Sequence, residues 1–169
     1  MATLKIHKVI VTDLMKKKNY KRKRGPVQAK KVTYDGITFA SGLERYMYQA
    51  LKKAKLKAVY EGATFEISKG FEFTNTSYER TGNGKGEFKQ RGRKKILPIK
   101  YTPDFIGYTN GADYHYIIEC KGRANESFPM RWKLFKKYVS KNLPNTTLFK
   151  PQNQKECDET VRLILSYLK

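Results

Sequence analysis

Two acidic residues and a lysine are placed where they could act together in one site. Asp104 follows Pro103, and Glu119 stands two residues before Lys121, each within a run of aromatic and β-branched residues. Paired carboxylates suit a hard cation such as Mg²⁺, which polarises a phosphoryl oxygen and lowers the pKa of its bound water. A neighbouring lysine orients the attacking water or offsets charge in the transition state, and it could also replace the metal as the cation beside the two acids. These residue types predict hydrolysis of phosphodiesters.

The two acids must lie on paired strands for this chemistry to work. Asn110-Gly111, a strong hairpin signal, separates the strand-like runs 101–108 and 114–120. A two-residue turn there pairs Asp104 with Ile117 and leaves it diagonal to Glu119, whereas a register two residues longer places Asp104 directly opposite Glu119. Either register brings the two carboxylates onto one face, and a slip by one residue would separate them.

Apolar spacing and turn residues predict the other elements. Ser41-Gly-Leu-Glu44 is a capping box that opens a helix, and Asn153 with Glu156 caps a final one. The predicted elements are helices over 42–55, 129–140 and from Asn153 onward, and further strands over 59–67 with a bulge at Gly62, over 71–74 and over 146–149. This order predicts an α/β layer arrangement.

The composition describes one strongly basic domain. Its 169 residues include 36 Lys and Arg against 15 Asp and Glu, a formal net charge of +21. With 39% hydrophobic and 13% aromatic residues the chain can bury a core, which excludes disorder throughout. A positive surplus of this size commonly neutralises a polyanion, so nucleic acid is the expected partner rather than a membrane.

The location and the cysteine chemistry are also constrained. No apolar run approaches the roughly 20 residues that a membrane span needs, so we expect a soluble protein of the cytoplasm, or of the host cytoplasm if it is phage-encoded. The two cysteines, Cys120 and Cys157, are too few for a disulfide framework or a zinc site.

Three runs of sequence resemble a known superfamily. Tyr-Thr-Pro103-Asp104-Phe followed by Ile-Ile-Glu119-Cys-Lys121-Gly resembles the signature of the PD-(D/E)xK nucleases. Phe-Ala-Ser41-Gly-Leu-Glu44 is similar to the helix that brings a further acid in that group. The likeness covers roughly residues 33–140 and is nearest to phage endonuclease I type Holliday-junction resolvases and related small phage nucleases.

The resemblance implies an α/β, restriction-endonuclease-like core in which a mixed sheet is flanked by helices. It implies that Asp104 and Glu119 bind Mg²⁺, for which Mn²⁺ would substitute, with the main-chain carbonyl of Cys120 as an extra ligand. Glu44 would help a second metal or its waters, and Lys121 would position the attacking water. The substrate would be DNA, with branched DNA favoured, the products would carry 5′-phosphate and 3′-hydroxyl ends, and the protein would act as a homodimer.

Basic residues outside the motif are expected to hold DNA. Residues 1–31 carry eleven Lys or Arg against one Asp and predict a flexible arm, which leaves 32–169 as the nuclease domain. Within that domain, 78–95 contains four Gly and seven basic residues and predicts a flexible basic loop. The expected DNA contacts are Lys21, Arg22, Lys23, Arg24, Arg91, Arg93, Lys94, Lys95, Arg131, Lys133, Lys136 and Lys137.

Two other functions remain open. A non-catalytic DNA-binding or packaging protein on the same fold would also need the charge, although the intact Asp104, Glu119 and Lys121 argue against it. A nuclease that nicks ordinary duplex without junction preference, or one that acts on RNA, is compatible with the same residues. The chain contains no recognisable base-reading element, so little sequence specificity is expected.

Overall fold

The computed structural model describes residues 29–80, 84–92, 94–108, 115–122 and 125–167. Within these ranges the chain is mixed α/β, with three helices and several sheets. The helices are α1 (Gly42–Lys53), α2 (Phe128–Asn142) and α3 (Gln154–Ser166). The strands are β1 (Val32–Tyr34), β2 (Ile37–Phe39), β3 (Ala58–Tyr60), β4 (Phe65–Ser68), β5 (Phe71–Phe73), β6 (Tyr78–Arg80), β7 (Phe88–Gln90), β8 (Lys94–Ile96), β9 (Ile99–Tyr101), β10 (Phe105–Tyr108), β11 (His115–Ile118) and β12 (Thr146–Phe149).

A four-stranded sheet has the order β12-β11-β10-β3 and is called the central sheet here. Its first three strands along the chain, β3, β10 and β11, pair antiparallel, whereas β11 and β12 are parallel neighbours. A parallel pair needs a long crossover, because the chain must return to the same end of the sheet before the next strand begins. The helix α2 provides that crossover, so the predicted α/β arrangement is confirmed at this level.

The side chains of β11 alternate between the two faces of the central sheet and so divide the core in two. Tyr116 packs with Met47 of α1 and Ile164 of α3, whereas Ile117 packs with Phe135 of α2. These five side chains are at most 2% exposed, and burying each one stabilises the fold by about 1.5–3 kcal/mol. The helices α1 and α3 therefore cover one face of the sheet, and α2 covers the other.

The helix ends follow the predicted capping residues closely. The Ser41 Oγ accepts a hydrogen bond from the Glu44 amide at 3.2 Å, and the Asn153 side chain accepts one from the Glu156 amide at 3.0 Å. Each cap satisfies an N–H that the first turn of a helix leaves unpaired. The observed bounds of α1, α2 and β12 differ from the predicted ones by two residues or fewer.

Two predicted strands are interrupted. The run 59–67, predicted as one strand with a bulge at Gly62, forms β3 and β4, which belong to different sheets. Glu61 between them has φ 48°, a left-handed conformation in which an extended strand cannot continue. The run 101–108 is divided between β9 and β10 around Pro103, which has no N–H to donate to a neighbouring strand.

Six strands form one long nested hairpin over residues 65–101, called the β-ribbon here. β4 pairs with β9 at its base, β5 with β8 in its middle and β6 with β7 towards its tip, and every pair is antiparallel. More than half of the described residues in 78–95 lie in β6, β7 and β8, so the prediction of a loop there is wrong, while its flexibility stays a prediction. Little of the outer ribbon is buried, so backbone hydrogen bonds and cross-strand side-chain pairs, rather than a core, link its strands.

A short hairpin precedes α1 and was not predicted. β1 and β2 pair antiparallel through Asp35 and Gly36, whose φ angles are 56° and 76°. Positive φ at both positions is what a two-residue hairpin turn requires, and Asp-Gly is a favoured sequence for it.

Some predictions lie outside the described residues. Of the predicted basic arm only 29–31 are described, and Asn110-Gly111 falls in the range 109–114, which is not. Across the ranges that are described, no helix combines the length and the apolar character needed to cross a membrane.

Candidate active site

The register of β10 and β11 decides where the two acids stand. Phe105 pairs with Ile118 and Tyr108 with His115, so the ladder continues to Asp104 directly opposite Glu119. The longer of the two predicted registers is therefore the observed one, whereas the turn predicted at 110–111 lies outside the described residues. Asp104 lies just before β10 begins and Glu119 just after β11 ends, so the two acids stand at the same end of this strand pair.

Main-chain hydrogen bonds hold Asp104 in place. Its Oδ2 accepts a hydrogen bond from the Cys120 amide at 2.6 Å, and its carbonyl accepts one from the Glu61 amide at 2.8 Å. The chain opposite is fixed in the same way, because the amides of Glu119 and Lys121 donate to the carbonyls of Phe149 and Pro151. These backbone contacts position the two acids independently of any bound ion.

The surroundings of the two acids oppose a negative charge. Burial, followed by the charges of Glu119 and Glu44, raises the pKa of Asp104 to about 8, although the Cys120 amide and Lys121 partly counteract this. Burial also raises the pKa of Glu119, against the lowering effects of the Tyr101 hydroxyl and Lys121. Two buried carboxyl groups with raised pKa values favour an added cation, because a cation would offset both the mutual repulsion and the loss of hydration.

Lys121 lies beside the pair, as predicted. Its Nζ is 4.0 Å from Glu119 Oε1 and 4.9 Å from the centre of the Phe128 ring. The 31% exposed side chain places an ammonium group at the edge of the acidic pair, where it is open to solvent. At this distance Lys121 attracts Glu119 without a direct hydrogen bond to it, so the ammonium can still donate to a water or a phosphate.

Glu44 is brought to the same region but is already engaged. Its carboxylate accepts hydrogen bonds from the Ala40 amide at 2.9 Å, the Ser41 hydroxyl at 2.8 Å and the Tyr60 hydroxyl at 2.7 Å. It is 6% exposed, and its charge raises the pKa of both Asp104 and Glu119. The structure therefore places Glu44 close enough to influence the pair, while its hydrogen bonds serve the start of α1.

The donor set fits a magnesium ion better than a closed metal cage. Among the residues that the structure describes, no group of three or more His, Cys, Asp and Glu side chains is arranged to hold a metal. Mg²⁺ is commonly bound through one or two carboxylates and keeps several of its waters. Asp104 and Glu119 meet that requirement, and they are the residues that would hold the ion.

Cys120 turns its side chain away from the acids, as expected for the residue between Glu119 and Lys121 on a strand. Its buried thiol contacts that of Cys157, and this contact together with burial raises the Cys120 pKa far above its ordinary value. The thiol is therefore protonated and packed in the core. The role of its main-chain carbonyl as a metal ligand stays a prediction.

Two tyrosines at the site were not singled out from the sequence. The Tyr60 hydroxyl donates to Glu44, and burial followed by that hydrogen bond raises the Tyr60 pKa. The buried Tyr101 hydroxyl lowers the pKa of Glu119, yet it makes no well-aligned hydrogen bond to a described residue. Tyr101 stands in the Tyr-Thr-Pro-Asp run, so only its position in that run could have marked it.

The predicted DNA contacts are distributed over three parts of the chain. Lys133, Lys136 and Lys137 are exposed on α2, and Lys94 and Lys95 are exposed on the β-ribbon. Arg91 is half-buried, and Lys21, Arg22, Lys23, Arg24 and Arg93 lie outside the described residues.

Arg131 has an internal role as well. Its guanidinium donates to the Lys100 carbonyl at 2.6 Å and lies 5.7 Å from the centre of the Tyr101 ring. The cation also lowers the pKa of Glu119. Arg131 therefore joins α2 to the base of the β-ribbon beside the acids, and its contact with DNA stays a prediction.

Comparison with known proteins identifies one family. A family model described as "Protein of unknown function (DUF1064)" matches residues 24–152. This range includes Glu44, Asp104, Glu119, Cys120 and Lys121, and the whole β-ribbon. No curated protein and no solved structure matches the chain significantly.

Proposed function

The chain belongs to the DUF1064 family, and we propose that it is a metal-dependent endodeoxyribonuclease of the PD-(D/E)xK type. One observation carries the proposal: the strand register places Asp104 opposite Glu119, with the Lys121 ammonium 4.0 Å from Glu119. A mixed sheet covered by α1 and α3 on one face and by α2 on the other supports a restriction-endonuclease-like core.

Each residue of the site has a distinct task in this proposal. Asp104 and Glu119 would hold Mg²⁺, or Mn²⁺ in its place, with the Cys120 carbonyl as a further ligand. When bound, the ion would polarise a phosphoryl oxygen of the substrate and lower the pKa of a water molecule. Lys121 orients the attacking water and offsets the negative charge that develops on the scissile phosphate. Glu44 holds the start of α1 against the pair and adds negative charge beside it.

DNA is the proposed substrate because a net charge of +21 favours a polyanion. The exposed lysines of α2, which include Lys133 and Lys137, are suited to phosphate contacts on either side of the cut. The resemblance to the PD-(D/E)xK nucleases implies products with 5′-phosphate and 3′-hydroxyl ends. It also implies a preference for branched DNA and a homodimer in which each copy cuts one strand. The work of such an enzyme would be phage DNA recombination or processing in the cytoplasm.

Cleavage of end-labelled DNA tests the proposal. A four-way junction and a linear duplex of matched sequence are incubated with Mg²⁺ or with EDTA. We expect Mg²⁺-dependent cuts by the unmodified chain and a loss of at least about 10³-fold in rate for Asp104→Ala, because the variant loses a metal ligand worth several kcal/mol in the transition state.

Asp158→Asn is the matched control. Asp158 is an exposed acid on α3 that accepts a hydrogen bond from the Tyr46 hydroxyl, which Asn can also accept. The control should cut at the unmodified rate. Cutting that persists in EDTA, or that Asp104→Ala leaves intact, would disprove the proposed site, and equal cutting of both DNAs would leave a nuclease without junction preference.

A non-catalytic DNA-binding or packaging protein is the second candidate. The observation that favours it is the net charge of +21, which by itself would give tight, salt-sensitive binding to DNA. A protein of this kind would cut neither DNA in the cleavage experiment. It would bind both DNAs tightly when affinity is measured, and Asp104→Ala would not alter that affinity.

A further inference from the structure

The outer part of the β-ribbon exposes aromatic rings to solvent. Phe71 on β5, Tyr78 on β6 and Phe88 on β7 have 57%, 60% and 60% of their surface exposed. Neither core cluster of the described residues includes them. Large apolar side chains grouped on one protruding element are typical of a binding surface, because their exposure to water is unfavourable.

Two of these rings form one surface near the tip. Tyr78 and Arg80 point to the same side of β6, and Arg80 pairs with Phe88 on β7, so the three side chains share a face. The Tyr78 and Phe88 ring centres are 5.9 Å apart, with 33° between the ring planes. The opposite face at this level carries the pair Glu79 and Lys89. One face is therefore aromatic with an arginine beside it, and the other is charged.

The charge of the β-ribbon selects the kind of partner. Residues 65–101 carry nine Lys or Arg against four Glu. A second copy of the same basic ribbon would be repelled, whereas a polyanion would be attracted. Aromatic rings flanked by basic side chains are the combination found where proteins hold single-stranded nucleic acid, because rings stack on bases while the cations contact phosphates.

The β-ribbon is also fixed next to the acids. Its last strand, β9, ends at Tyr101, and Asp104 follows shortly afterwards. The Tyr101 ring stacks on Phe135 of α2 with centres 4.3 Å apart and 18° between planes, and Arg131 donates to the Lys100 carbonyl. A nucleobase bound near the tip would thus lie on the β-ribbon, and the other end of this ribbon borders the candidate active site.

We propose that Tyr78 and Phe88 form a stacking platform for unpaired bases, so that the β-ribbon directs the enzyme to DNA in which unpaired bases adjoin a duplex. The inference rests on the proposed function in taking DNA as the substrate, and it narrows the branched substrate to forks and flaps. In a duplex, and in a fully paired four-way junction, the faces of the bases are stacked on one another and offer the rings no surface.

Binding without cleavage tests the platform. The full chain in EDTA is titrated into a splayed fork with 2-aminopurine at its first unpaired position, and into a fully paired duplex of equal length. The variant Tyr78→Leu/Phe88→Leu keeps an apolar pair across the strands but removes both rings. We expect its affinity for the fork to fall about tenfold or more, its affinity for the duplex to change less than about twofold, and the quenching of 2-aminopurine to be lost.

Two further variants separate stacking from folding. Glu79→Leu/Lys89→Leu introduces the same two leucines in the same strands on the opposite face, and it leaves the net charge unchanged. Tyr78→Phe/Phe88→Tyr keeps both rings. Both should bind and quench like the unmodified chain.

Several results would overturn the inference. These are equal loss of fork and duplex binding in the Tyr78→Leu/Phe88→Leu variant, no loss on either DNA, or the same selective loss in the Glu79→Leu/Lys89→Leu control. Light scattering without DNA could give a further contradicting result. If the unmodified chain is a dimer and only the Tyr78→Leu/Phe88→Leu variant is a monomer, the two rings form an interface between copies of the chain. Because the titration is done without metal, its result is independent of whether Asp104→Ala abolishes cleavage.

Discussion

The central sheet and the β-ribbon are both made of short strands, yet different interactions hold them together. In β11 three of the four residues are buried, whereas every residue of β6 and β7 is exposed. A slip of one residue in β11 would move its buried side chains to the wrong face, so packing specifies how β11 pairs with its neighbours. The strands β6 and β7 bury no side chains, so their pairing register is only weakly specified. The central sheet is thus suited to hold two acids in fixed positions, and the β-ribbon is suited to adjust its shape to the proposed DNA partner.

A glycine in each region shows the same difference. A Cβ at Gly107 in β10 would lie 2.0 Å from the Tyr116 ring, whose hydroxyl donates to the Lys57 carbonyl at 2.8 Å. Gly107 therefore makes room for a buried side chain. A Cβ at Gly92 in the β-ribbon would lie 2.4 Å from the Asn75 carbonyl oxygen, so this glycine allows two backbone segments to cross closely. Side-chain packing governs the first position and backbone geometry the second.

The largest expected effect belongs to the acidic pair on the central sheet. Glu119→Gln should lower the cleavage rate at least about 10³-fold and Lys121→Met about 10²-fold, because one would lose a proposed metal ligand and the other the cation proposed to act in the transition state. Single-turnover rates on a labelled fork measure both. The ribbon variant Lys95→Gln should cut at the unmodified rate at saturating enzyme. A similar loss in all three variants would remove the functional distinction between the two regions.

Stability should separate the regions nearly as strongly. Phe135→Ala removes a fully buried ring from the α2 face of the central sheet and should lower the free energy of unfolding by about 3–5 kcal/mol. Phe88→Ala on the exposed ribbon should lower it by about 1 kcal/mol or less. Urea unfolding followed by circular dichroism measures both. Comparable losses would mean that the ribbon tip is packed in solution.

Metal-free stability should depend on pH through Asp104. Because burial raises its folded pKa from 3.8 to about 8, the folded chain binds more protons than the unfolded chain between those values. The free energy of unfolding should therefore fall as pH rises through this range and level off above it. Thermal unfolding in EDTA should show the slope, and Asp104→Asn should reduce it. An unchanged slope in that variant would assign the pH dependence to other groups.

The smallest expected effect concerns the charges of the β-ribbon. Replacing Lys94 and Lys95 by Gln should weaken binding of fork and duplex alike, since phosphate contacts carry no base information. The slope of log affinity against log salt should become shallower by about 2 if each lysine contacts one phosphate. Fluorescence anisotropy at several salt concentrations gives that slope. A change confined to the fork would place these lysines in base recognition instead.

Local patterns were sufficient for the helices and for part of the site. The Ser41 and Asn153 caps and the apolar spacing predict all three helices, because capping and periodicity are properties of neighbouring residues. The hairpin at Asp35-Gly36 could have been predicted in the same way. The acids Asp104 and Glu119 could be proposed from residue type and order alone.

The sequence by itself determined which residue types stand at the site, the ends of the helices and the positive charge that points to DNA. Only the tertiary structure decided that Asp104 faces Glu119 directly, because the register depends on packing of both faces of the sheet. It also decided that Glu44 is held by Tyr60 and that 65–101 is a paired ribbon, since both depend on contacts between residues far apart in the chain. The raised pKa values follow from the same cause, because burial is a property of the assembled fold.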